Sequence, residues 1–172
     1  MHQVIKIIVY AETKENALKK ADSILTEFCE SGTFDYFFLF NAGGEIPAVL
    51  LADSKEGEEM IKEAMAYTER GFMRRLEQIK GCIGEFSAKE LFEAKSTEEN
   101  HCDRDMFRFY CNRLGEYAGS SIWLYDNDGE GIMTNSDLNN ALNKYNCIYE
   151  DRGKKNPYKN DKIWVVPADV HS

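Results

Sequence analysis

The run Val4-Ile5-Lys6-Ile7-Ile8-Val9-Tyr10 constrains the fold most. It is β-branched and almost continuously apolar, with no alternation of polar and apolar positions. A strand of that kind is buried on both faces and sits in the middle of a sheet. The rest of the chain must therefore supply strands to flank it and helices to cover it.

Thr13 is placed to cap the segment that follows, in which Ala17, Leu18, Ala21, Ile24, Leu25 and Phe28 recur at steps of three and four. That spacing is the apolar stripe of a surface helix. Ser31-Gly32 ends it, because glycine takes the left-handed conformation at a helix C-terminus. The aromatic stretch Phe34 to Phe40 reads as a second strand, Asn41 to Glu45 as a turn, and Ile46 to Ala52 as a third strand. Two strands so joined predict a hairpin. Pro47 belongs at the strand start, since proline donates no ladder hydrogen bond.

Asp53 and Glu56 suggest a capping box for a long helix carrying Ile61, Met65, Thr68, Phe72, Leu76 and Ile79. Gly71 marks a close contact or a break, and Gly81 and Gly84 mark the end. A second capping box, Ser87 to Glu90, opens a short helix. Met106, Phe107, Tyr110, Leu114 and Tyr117 define another. Ser121 to Tyr125 reads as a strand, Asn135 or Ser136 as the cap of a helix with Leu138, Ala141 and Leu142, and Ile163 to Val166 as a last strand ended by Pro167.

The order strand, helix, strand, strand, helix resembles the opening of a ferredoxin-like β-α-β-β-α-β unit. The resemblance is topological, covers roughly the first 80 residues, and has no sequence motif behind it. It implies an α+β fold: a two-layer sandwich with helical additions, helices on one face of a mostly antiparallel sheet. No Pro-rich or Ser/Gly-rich linker divides the 172 residues, so 1–172 is read as a single domain.

Net charge is −9 and the pI about 4.9, a field that repels phosphate backbones. The best basic candidate, Arg152 to Lys159, reads as a solvated loop. The aromatics of the second strand lack the lysines and arginines that accompany nucleic-acid stacking surfaces, so core packing or a sheet-to-sheet dimer is their better use. No apolar run is long enough for a membrane helix, and the N-terminus lacks the features of a signal peptide. The five cysteines are odd in number with no C-x-x-C, which argues for reduced thiols in a cytoplasmic protein.

The chemistry-bearing stretch is Asp126 to Asp137. It resembles a twelve-residue calcium loop of the EF-hand type, which draws oxygens from positions 1, 3, 5, 7, 9 and 12 and turns on a glycine at 6. The resemblance implies Asp126, Asp128, Glu130, Ile132 (through its carbonyl), Thr134 and Asp137 as ligands, with Gly131 at the turn. Glutamate at the fifth position and a strand leading in depart from that pattern, as does aspartate at the twelfth, which favours magnesium or weak calcium binding. The competing reading is a solvated turn on Asn127-Asp128-Gly129 followed by a helix cap.

His101-Cys102-Asp103 collects a base, a nucleophile and a carboxylate, yet adjacent residues rarely point at one another. Asp169 and His171 alternate as strand neighbours would and offer a pair of metal ligands; a frayed tail is the plainer reading. No catalytic signature is present. The expectation is a soluble, non-enzymatic binding domain acting through a protein partner or self-association. A Ca/Mg-binding protein is the first alternative, and a small acid–base enzyme using His101, Cys102 or the acidic loop is the second.

Overall fold

The computed structural model describes residues 2–94, 103–116, 119–150 and 160–172, with the backbone alone at 103 and 144–150. Among the described residues it is a mixed α+β structure with five α-helices and a five-stranded, mostly antiparallel sheet. The chain divides into two compact units, Met1–Thr68 with Tyr117–Ser172, and Glu69–Glu116.

The first unit holds the sheet. Strand β1 (His2–Ala11) is its centre, as the apolar run predicts. β1 pairs antiparallel with β5 (Lys162–His171) along its whole length and parallel with the short β4 (Leu124–Tyr125). On the far side of β5 lie β2 (Tyr36–Leu39) and β3 (Leu50–Leu51).

The predicted hairpin does not form. β2 and β3 both pair antiparallel with β5, so they run in the same direction along one edge. Phe40 to Val49 is an excursion from what is otherwise a single interrupted edge strand. β5 supplies the physical reason. It continues through Pro167, which was expected to end it. Lys6 stands opposite Pro167 and gives its amide to the carbonyl of Trp123, just ahead of β4. Pro167 therefore turns its nitrogen away from β1, toward the β2–β3 edge. A strand there finds no N–H to pair with, and that is where the edge strand leaves.

The two-layer expectation is also corrected. Helix α1 (Lys14–Glu30) covers one face, where Ala17, Ala21, Ile24 and Leu25 pack on Ile5, Ile7, Val9 and Val166. The other face packs Ile8, Leu124 and Val165 against Ile61 and Ala64 of α2 (Lys55–Glu85) and Ala141 of α5 (Asn135–Glu150). Helices thus lie on both faces of the sheet. Ferredoxin-like one-sided cover could not bury a strand that is apolar on both sides.

The local signals hold with small shifts. Thr13 Oγ1 accepts the Asn16 amide and Gly32 has φ 75°. The α2 cap is Ser54, one residue past the expected Asp53: its Oγ accepts the Gly57 amide at 3.0 Å. α2 runs on through Gly71, Gly81 and Gly84, which face open space. The helical additions form the second unit, where the later part of α2 joins α3 (Ala88–Glu93), with its Ser87–Glu90 capping box, and α4 (Asp103–Leu114). Its core is Ile79, Cys82, Leu91 and Tyr110.

Candidate functional site

The acidic stretch forms a turn and a cap. Asp126 is 7% exposed, and its Oδ1 accepts the amides of Asp128 and Glu130, both at 2.9 Å. The Asp126 amide donates to the Glu130 carbonyl, and the Ile132 amide to the Leu124 carbonyl, which closes the loop back onto β4. Gly129 takes φ 78° over the Phe28 ring. Asn127 Oδ1 accepts the Tyr10 amide at 2.9 Å and Lys20 Nζ at 3.2 Å, tying the loop to the end of β1 and to α1. Ile132 is buried in the core.

Thr134, and neither Asn135 nor Ser136, caps α5. Its Oγ1 accepts the Asp137 amide, while Asp137 Oδ2 accepts the Thr134 amide and hydroxyl at 2.8 Å and the Met133 amide at 3.2 Å. Burial pushes the Asp137 carboxyl up, but the bonds from Thr134 and Met133 outweigh it and hold it below the ordinary carboxylate value. The carboxylates expected at the two ends of a coordination sphere thus order a loop and a helix start. Among the described residues, no group of three or more His, Cys, Asp or Glu side chains is arranged to hold one ion. His101, Cys102 and the basic run 152–159 lie outside the described residues.

Chemistry converges elsewhere in the first unit. A cleft of about 590 Å³ opens on the face covered by α2, near the start of β1, with Met60, Glu63 and Tyr67 in its wall. Lys6 lies on it, its side chain 6% exposed, with Nζ 3.1 Å from the Val4 carbonyl and 3.7 Å from Glu63 Oε2. Burial pushes the Lys6 ammonium below the ordinary lysine value, against the pull of Glu63. Tyr67 and Trp123 stack at 4.6 Å to form an aromatic wall, with Lys6 over the Tyr67 ring. At the open end His2 meets Asp169, and beyond it His171 meets Asp35 under a stacked Tyr36.

Sequence reasoning passed over Lys6. Its signal was in plain view: one lysine inside a strand read as buried on both faces. The His2–Asp169 contact carried no local signal, because its residues lie at opposite ends of the chain.

The architecture is a mixed sheet with helices on both faces, and its cleft is built around a buried lysine. By sequence the chain belongs to a family described as Domain of unknown function (DUF7995), whose model matches residues 1–172. No curated protein and no solved structure matches it. Among the described residues no helix is long and apolar enough to cross a membrane, and Cys29, Cys82 and Cys111 are free thiols.

Proposed function

We propose that the protein is a binding module that takes a protein strand along the outer side of β2, with a second copy of the chain as the first occupant. The observation that carries this is the aromatic strip on β2. Phe38 is 61% and Tyr36 41% exposed, on an edge strand whose outer side pairs with no strand among the described residues. An open edge offers main-chain donors and acceptors, and exposed aromatics beside it supply the apolar anchor that edge-docking needs. Two β2 strands meeting antiparallel about a two-fold axis would satisfy both, since such an interface uses one patch twice. The acidic balance of the chain sets the partner class apart from nucleic acid.

The test is light scattering across a dilution series. Wild type is expected to pass from monomer to dimer mass with rising concentration, and Tyr36→Ser/Phe38→Ser to stay monomeric. A wild type that is monomeric throughout defeats the self-pairing.

A second reading, a small acid–base enzyme, is favoured by Lys6 alone, a desolvated amine beside a carboxylate in an open cleft. Selective labelling of Lys6 by a small amine-reactive reagent at neutral pH would support it. Labelling spread evenly over the lysines would remove its basis.

A further inference from the structure

His2 and His171 come from the paired strands β1 and β5 and stand directly opposite each other in their register. Their ring centroids are 5.3 Å apart, with planes at 71°. Each ring is held through the same nitrogen. His2 Nδ1 lies 3.2 Å from both carboxylate oxygens of Asp169, and His171 Nδ1 lies 2.9 Å from Asp35 Oδ2. A carboxylate acceptor makes Nδ1 the donor of the neutral imidazole and leaves the lone pair on Nε2. Tyr36 stacks on His171 at 4.8 Å and 2°, which fixes the plane of that ring. Both side chains reach solvent, with exposures of 62% and 32%.

A carboxylate on the second nitrogen is the outer-shell support that orients histidines for metal ligation. The spacing fits as well. A metal–nitrogen bond of about 2.0–2.1 Å, plus about 1.1 Å to the ring centre, sets two imidazoles about 5.2 Å apart between centroids on a tetrahedral ion such as zinc and about 4.5 Å apart at the roughly 90° angle of nickel, so the pair at 5.3 Å stands at the tetrahedral spacing and closes by about 0.8 Å for nickel. We propose that His2 and His171 form a two-imidazole site for a borderline divalent transition ion of the nickel or zinc class, with Asp169 and Asp35 orienting the rings and water completing the sphere. Two nitrogen ligands select against calcium and magnesium, which take oxygen. The site is independent of the acidic loop; it shares Tyr36 with the β2 contact proposed above, and its test therefore leaves Tyr36 and Phe38 unchanged.

Calorimetric titration of the full chain with nickel chloride, with magnesium chloride as control, tests this. Wild type should show one nickel site and no magnesium site. His2→Gln and His171→Gln should each weaken nickel binding at least tenfold, and Asp169→Ala or Asp35→Ala by about 10- to 100-fold. Thermal midpoints of the metal-free variants establish that they are folded. Absence of nickel binding in the wild type overturns the proposal. So does unchanged affinity in folded His171→Gln, which would place the ion on thiols or backbone elsewhere.

Discussion

Two glycines in helix α2 should respond to the same substitution with opposite signs. Gly57 lies in the first turn, where its amide donates to the Ser54 cap. A methyl built on its Cα would fall inside the carbonyl of Leu51 and come within 3.1 Å of Ser54 Oγ. Neither neighbour can yield cheaply. The Leu51 carbonyl is backbone of β3 and already accepts the Ser54 hydroxyl at 2.6 Å and the Ser54 amide at 3.1 Å. Forcing the helix away from β3 adds an overpacking cost of about 1–3 kcal/mol to the loss of a cap at about 1 kcal/mol. Gly57→Ala should therefore cost about 2–4 kcal/mol, a fall in thermal midpoint of about 4–16 °C for a chain of this size. Gly71 lies further along the same helix, and nothing stands within 4 Å of an added methyl. There alanine should gain up to about 1 kcal/mol from helix propensity. Urea denaturation followed by Trp123 and Trp164 fluorescence reports Gly57→Ala, and far-ultraviolet circular dichroism reports Gly71→Ala. Equal stabilities for Gly57→Ala and wild type would refute the close approach of α2 to β3.

Four further outcomes are expected. Asn127→Ala removes the acceptor of the Tyr10 amide and of Lys20, and should cost about 1–3 kcal/mol in the same urea assay. Asp137 has a depressed folded value, so its contribution is present above the ordinary aspartate value and fades as pH falls through the folded one. The stability gap between wild type and Asp137→Ala should then be full at pH 7 and close in acid below about pH 4. Lys6 behaves in the opposite sense: its charged form is disfavoured by folding, so stability rises with pH as it loses its proton toward the ordinary value near about 10.4. Lys6→Met should be at least as stable as wild type at pH 7, with its advantage shrinking in alkali. Millimolar calcium should leave the thermal midpoint where EDTA sets it; a rise of several degrees would give the acidic loop a binding role.

The elements legible in the sequence were those with local causes. Thr13, Gly32 and the Ser87–Glu90 box act within one turn, and the structure uses them as read. The central place of β1 followed from its composition alone. That same run implied helices on both faces, a consequence the topological resemblance obscured. What could not be read was long-range pairing. β3 and β4 are two residues each, too short for any periodicity. Pro167 reads as a stop until the strand beside it is known to have a gap there. The candidate site divides the same way: the Asp126 turn was visible from its residues, whereas the cleft joins Lys6, Glu63, Trp123 and Asp169 from four separate segments.

The pairing of β1 with β5, from His2–His171 to Ala11–Lys162, also sets the order in which the molecule can assemble. Every contact along that ladder closes a loop of roughly 150 residues or more, so it is entropically late and makes for slow folding. While the chain is being synthesised, β1 has neither β5 beside it nor α5 over it, and its apolar faces must wait for the last strand to emerge. A nascent or truncated chain lacking β5 would leave the long edge of β1 unpaired and both cores short of Val165 and Val166, the kind of incomplete sheet that chaperones hold and that otherwise aggregates.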